Sequence, residues 1–206
     1  KVTGVQTCAL PILSFLPWAH IFGQVGELHM LIYLGYATAF AESVQTITDN
    51  LAEIKPTIII AVPRIFNRIY DGVNKKMKAK GGVIAGLFYK GLQLQQKVKD
   101  GASLGLKDSI ILTLAQKIVF KKVKSAFGGR LRYAISGAAA LDPKIAQFID
   151  NLGIVVFEGY GLSETSPMIS ANRNGAQKIG SVGKVIPGVR ELGLSQSQAA
   201  LVDRPQ

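Results

Sequence analysis

The residues best suited to chemistry form one ten-residue string, Glu158-Gly159-Tyr160-Gly161-Leu162-Ser163-Glu164-Thr165-Ser166-Pro167. Glycine backbone N–H groups and hydroxyls are neutral donors that suit phosphate oxygens. The carboxylate of Glu164 beside them suits Mg²⁺, which binds through one or two carboxylates plus the phosphates of its substrate. Tyr160, set between Gly159 and Gly161, offers a ring for stacking on a base, a contact of about 1–3 kcal/mol. A lone Gly-x-Gly would be an ordinary turn; the full string is far more specific. A second string, Ser136-Gly137-Ala138-Ala139-Ala140, has side chains small enough for a flat ligand to reach the backbone. Taken alone, it reads more simply as tight strand–helix packing.

Both strings follow short apolar runs, and the elements around them alternate. The sequence predicts strands over residues 13–16, 37–41, 57–62, 131–135 and 154–157. Helices are predicted over 26–34, ended by Gly35, over 51–54, capped by Thr48, Asp49 and Asn50, and over 64–80. A basic helical middle follows, and Asp142-Pro143 caps a helix that runs to Asn151. Pro56 and Pro63 bracket an isoleucine run typical of a buried parallel strand. The fold class expected is therefore α/β, a mainly parallel sheet flanked by helices. Ligands of such sheets bind beyond the carboxyl ends of the strands, where both strings lie.

The 206 residues are 48% hydrophobic and 18% charged, which excludes a disordered or fibrous chain. One cysteine, Cys8, excludes a disulfide scaffold and a cysteine-based zinc site; His20 and His29 alone leave little for a histidine cluster. The net charge of +11 is regional: residues 64–132 carry sixteen Lys or Arg against Asp71, Asp100 and Asp108. Within residues 109–127, Ile111, Leu114, Ala115, Ile118, Val119 and Val123 recur at helical spacing among Lys117, Lys121, Lys122 and Lys124. That pattern serves a core-facing helix or one attracted to an anionic membrane surface. Nucleic acid is not expected, because no aromatics alternate with the bases as a stacking platform requires. No uninterrupted apolar run is long enough to span a bilayer. Residues 1–12 fit nothing that follows and read as a non-native leader. Residues 191–206 lose all pattern and read as a non-native or disordered tail. Residues 13–190 are left as the interpretable domain.

The string from Glu158 to Pro167 resembles the adenylate-forming, AMP-binding enzymes, and among them the long-chain fatty acid–CoA ligases. The likeness continues, in order, through Leu16-Pro17-Trp18-Ala19-His20-Ile21-Phe22, Lys55-Pro56-Thr57 to Val62-Pro63-Arg64, Phe127 to Leu141, and Gly180 to Val189. The Val-Pro-Arg stretch and the basic helical insert favour the long-chain branch. The resemblance implies part of the large N-terminal domain of such an enzyme, acting in two steps: carboxylate adenylation by ATP, then thioester formation with CoA. It also implies roles. Tyr160 would stack on adenine, Ser163 (more often Thr in the family) would contact the α-phosphate, and Glu164 would hold Mg²⁺. Gly137, Ala138, Ala139, Gly159 and Gly161 would border the nucleotide and acyl group, and His20 would sit near the carboxylate being activated. The family more often has Gly and Pro among these alanines. The partners implied are a fatty acid, ATP and CoA, with a cytoplasmic location and a peripheral contact at the inner face of an anionic membrane.

The family's upstream phosphate loop, its downstream ribose-binding Asp and its lysine-bearing C-terminal domain have no match in this sequence. The chain is therefore expected to be an internal fragment that is inactive alone. Two other readings compete. One is a non-catalytic peripheral membrane module built on the basic stretch. The other is a serine hydrolase using Ser163 or Ser136, for which the Gly-x-Ser-x-Gly elbow is missing.

Overall fold

A computed structural model describes residues 11–189. Seven strands form one sheet in the order β2-β1-β3-β4-β5-β6-β7. They are β1 (Pro11–Ser14), β2 (Ala37–Phe40), β3 (Ile58–Ala61), β4 (Tyr133–Ser136), β5 (Val155–Gly161), β6 (Met168–Ala171) and β7 (Lys184–Val185). The first five pair in parallel; β6 and β7 add antiparallel, with a register shift at Tyr160/Gly161. The expected α/β architecture, a mainly parallel sheet with helices, is what the chain adopts. The short strands β6 and β7, set among Pro167, Gly175, Gly180 and Gly183, carry too little periodicity to be read from sequence.

Strand β1 lies two residues before its predicted position. Pro11 opens it where a missing N–H costs nothing, and it ends because the Phe15 and Leu16 N–H groups turn to the Glu27 carboxylate instead of a neighbouring strand. Pro11 and Ile12, assigned to a leader by sequence, thus belong to the sheet. The remainder of that leader, residues 1–10 including Cys8, lies outside the described residues, as does the tail 191–206.

Helix α1 runs over residues 21–34, its middle Gln24–His29 wound as π-helix. It starts five residues earlier than predicted because His20 caps it, Nδ1 accepting from Phe22 N at 3.2 Å. Gly35, at φ 68°, ends it as predicted. Helix α2 (Ile47–Ile54) begins at Thr46, so Thr48, Asp49 and Asn50 lie inside it rather than capping it. Asn50 Oδ1 accepts instead from Glu42 N and Thr46 Oγ1. Helix α3 (Pro63–Lys80) and helix α4 (Gly82–Lys99) are joined at Gly81-Gly82, both at positive φ. Helix α5 covers residues 106–125 with a π-wound centre, Ala115–Phe120. Asp142 caps helix α6 (Pro143–Asn151), its Oδ1 accepting from Lys144 N at 2.8 Å.

The main core joins alternate strand residues (Leu13, Ile59, Ala61, Ala134, Val156) to the apolar faces of α2 through α6. Phe88 is its hub, meeting Phe120 and Phe148 edge-on with centroids 6.0 and 6.1 Å away. Gly91 lets α4 and α5 close up, since a Cβ there would strike that of Ala115. In α5 the buried row is Leu112, Ala115, Val119, Phe120 and Val123. Leu114 and Ile118, counted by spacing in the apolar stripe, are 43% and 46% exposed. The stripe is wider than the face that packs on α4. The opposite sheet face carries Ile60, close enough to Gly26 of α1 that a Cβ added there would sit 3.6 Å from it, and a stacked Tyr133–Phe157 pair.

Candidate nucleotide site

The cleft beyond the carboxyl ends of β4 and β5, about 220 Å³ in volume, brings the two sequence strings together. Its walls include Ser136, Gly137 and Ala138 on one side and Glu158, Gly159, Tyr160 and Gly161 on the other. Phe22 from α1 and Pro167, Met168, Ala171 and Asn172 complete the lining. Parallel pairing of Ser136 with Glu158 sets the two turns side by side.

Small residues are required here by contact. Gly137 lies under the Phe22 ring, and a Cβ would sit 2.8 Å from its Cζ. A Cβ on Gly161 would overlap the Pro167 carbonyl. Ala138 holds φ 68°, a left-handed conformation that costs a non-glycine residue about 1–2 kcal/mol. The Ser136 hydroxyl is buried in the cleft lining without a hydrogen-bond partner, so the cleft leaves a polar contact open to a ligand.

Tyr160 is 46% exposed, its ring free at the cleft. Ser163 and Glu164 sit on the short turn Ser163–Thr165 at the lip, exposed and outside the lining itself. Thr165 holds that turn: its Oγ1 accepts from Leu162 N at 3.0 Å and lies 2.9 Å from the Pro167 carbonyl. His20 and Ala139 are exposed and likewise outside the lining, although His20 caps the helix that carries Phe22. Among the described residues, no group of three His, Cys, Asp or Glu could hold a metal unaided.

Sequence reasoning missed the brace behind the cleft. Glu158 is buried; its Oε1 accepts from Gly180 N at 2.9 Å, and the Leu141 backbone also donates to it. Burial pushes this carboxyl above its ordinary pKa, and those two donors pull it partly back. Asn172, also buried, donates to the Ser181 carbonyl at 2.6 Å and accepts from Lys178 N at 2.9 Å. Together they fasten β5, the Ser136–Leu141 turn and the loop before β7. Glu158 stands within the motif string, but its inward direction is set by strand alternation; nothing local marks Asn172.

A model of the family described as AMP-binding enzyme matches residues 3–192. The chain belongs to the AMP-binding enzyme family. It is 34% identical over 196 residues to the peroxisomal long chain acyl-CoA synthetase 6 of Arabidopsis thaliana, covering 94% of this chain and 26% of that relative. To the long-chain-fatty-acid–CoA ligase FadD15 of Mycobacterium bovis it is 31% identical over 182 residues, covering 86% and 30%. Its fold is similar to that of a benzoate CoA ligase from Burkholderia xenovorans LB400, with a TM-score of 0.53 at 20% identity over 87% of this chain and 28% of that one. This member of the family thus spans between 26% and 30% of the length of these curated relatives.

Proposed function

We propose that this chain supplies the adenine side of an ATP-dependent long-chain fatty acid–CoA ligase, with residues 11–190 as a partial adenylation domain. The single observation that carries the reading is the cleft uniting Tyr160 with the Gly137–Ala138 turn, beyond the carboxyl ends of two parallel strands. The long-chain assignment draws on the relatives' names. In the complete enzyme a fatty carboxylate attacks the α-phosphate of ATP, pyrophosphate leaves, and CoA thiol then displaces AMP from the acyl-adenylate.

Each residue has a role in this reading. Tyr160 stacks on adenine, while Gly137, Ala138, Ala139, Gly159 and Gly161 keep the walls flat against it. The orphaned Ser136 hydroxyl fits a polar edge of the ligand. Ser163 donates to the α-phosphate, and His20 donates to the attacking carboxylate and so orients it. With Nδ1 accepting from Phe22 N, the neutral imidazole carries its proton on Nε2, the nitrogen free to donate. Glu164 is the one carboxylate of the lip turn, a donor set that fits Mg²⁺ shared with substrate phosphates; among the described residues no group of three His, Cys, Asp or Glu stands ready to complete an all-protein cage. Bound Mg²⁺ would supply charge neutralisation at those phosphates.

Titration of the 206-residue chain with ATP and Mg²⁺ tests the reading. Tyr160→Ala is expected to weaken ATP about fivefold or more, as the loss of one stacking contact of about 1–3 kcal/mol implies. Equal affinity in wild type and variant would refute it. ATP–pyrophosphate exchange with palmitate is expected only when the further length that the relatives carry is supplied; robust exchange by this chain alone would overturn the partial-domain assignment.

A peripheral contact with an anionic membrane is a second reading, favoured by one surface. Val83, Leu106, Ile110, Leu114 and Ile118 stand exposed along α4 and α5 beside Lys117, Lys121 and Lys122. Lys124 is excluded from that surface, since its ammonium reaches inward to the Gly153 carbonyl at 3.2 Å. Co-sedimentation with phosphatidylserine vesicles should be lost on charge reversal at Lys117, Lys121 and Lys122; retention would reject the contact. Among the described residues no helix is long and apolar enough to cross a membrane.

A further inference from the structure

We propose that the groove between α2, α3 and α5 is a second ligand site, taking a single-chain anionic amphiphile of the alkyl carboxylate class. The site is separate from the nucleotide cleft and shares no lining residue with it. Its volume is about 710 Å³, within the range of small-molecule sites.

The groove is built for two chemistries at once. Its floor is apolar, with Ile69, Val73 and Met77 of α3 facing Val119 and Phe127. Its rim is cationic: Arg68, Lys76, Lys80 and Lys122 line it, against the single acid Asp49. Among the described residues none of these four cations forms an ion pair, although Arg68 donates to the Val44 carbonyl at 2.9 Å. Four like charges around a low-dielectric floor repel one another and attract an anion.

Shape narrows the ligand further. The lining residues of α3 run from Arg68 to Lys80, about 18 Å along the helix axis. That length suits an extended alkyl chain better than a compact ring. Lysine stems lying over apolar surface are the ordinary use of such residues. Here they leave the mouth uncovered, since Ile84 and Ile118, which line it, remain 45% and 46% exposed. An apolar tail therefore has an open entry, and its carboxylate meets the rim.

The test uses the 206-residue chain with ¹³C-methyl labels and stearate spin-labelled near its tail, kept below its critical micelle concentration. Paramagnetic broadening is expected first at the methyls of Ile69, Val73, Met77 and Val119. Broadening centred on Ile135 and Met168 would move the amphiphile to the nucleotide cleft and overturn the proposal. Broadening centred on Val83, Leu106 and Ile110 would mean adsorption to the outer helical surface and would overturn it equally. A triple variant, Lys76→Glu, Lys80→Glu and Lys122→Glu, changes only exposed positions. It should weaken dodecanoate at least tenfold at about 0.15 M salt, where charges more than about 8 Å away are largely screened, and leave ATP binding unchanged. Unchanged dodecanoate affinity would overturn the proposal. Because ATP is titrated in parallel, failure at the groove and failure of the nucleotide reading give different results.

Discussion

Glu27 Oε2 accepts the Ser14 hydroxyl at 2.5 Å, joining a fully buried carboxyl of α1 to the end of strand β1. The same carboxyl accepts from Phe15 N at 3.4 Å and Leu16 N at 3.1 Å, and the Trp18 indole donates to Ser14 Oγ at 3.2 Å. One side chain thus fixes the start of the loop that leads to His20, and through His20 the first turn of the helix bearing Phe22. Burial raises the Glu27 pKa, opposed by its hydrogen bonds from Ser14, Phe15 and Leu16.

The pH dependence of stability follows from that direction. A carboxyl whose folded pKa lies above its unfolded one binds more protons when folded, so stability falls as pH rises through the interval between the two. Glu27→Gln removes the titration. The unfolding free energy of wild type minus that of the variant, from urea melts at a series of pH values, should decline from the ordinary glutamate range upward. A flat difference would reject the account.

Glu158 invites a similar experiment with a different readout. Truncation to Ala strands the Gly180 N–H and the Leu141 donor inside the brace, at a cost of about 1–3 kcal/mol. Glu158→Gln keeps an amide oxygen for Gly180 and should recover most of that loss in urea midpoint. If Gln is as damaging as Ala, the acceptor oxygen is not what the position supplies.

Positive φ makes Ala138 the strained point of the cleft. Glycine relieves about 1–2 kcal/mol of left-handed strain and returns about 0.5–1 kcal/mol of entropy to the unfolded chain. Ala138→Gly should therefore be neutral to about 1.5 kcal/mol stabilising. Ala139→Gly has no positive φ to relieve and should destabilise. Thermal melts of the two variants decide it: a lower midpoint for Ala138→Gly than for Ala139→Gly would contradict the strain.

What the sequence made legible follows from range. Pro56 and Pro63 bracket β3, Asp142 caps α6 and Gly35 stops α1, each through backbone chemistry within a few residues, and each is where it was expected. The two strings of the cleft were visible because their residue types are rare in combination. What stayed hidden depends on distant partners. Glu27 ends β1 from twelve and eleven residues away at Phe15 and Leu16. Glu158 reaches Gly180 from twenty-two residues away. The π-wound segments of α1 and α5 shift which residues face inward, and simple 3.6-residue counting cannot anticipate that.

Gly161 gives the sharpest test of how the cleft is held. It sits where the β5–β6 pairing changes register, and the Pro167 carbonyl occupies the space a Cβ would need. Backbone, unlike the end of a flexible side chain, cannot step aside, so Gly161→Ala must push β6 away from β5. Overpacking of this kind costs about 1–3 kcal/mol, and the displacement falls beside Tyr160 and Met168, both in the cleft wall. Stability and ATP affinity should therefore drop together in this variant. Gly175→Ala, with open space around its Cβ, should lose a little stability through its positive φ and leave ATP affinity intact. Equal ATP affinity in the two variants would show that close β5–β6 contact does not shape the nucleotide wall.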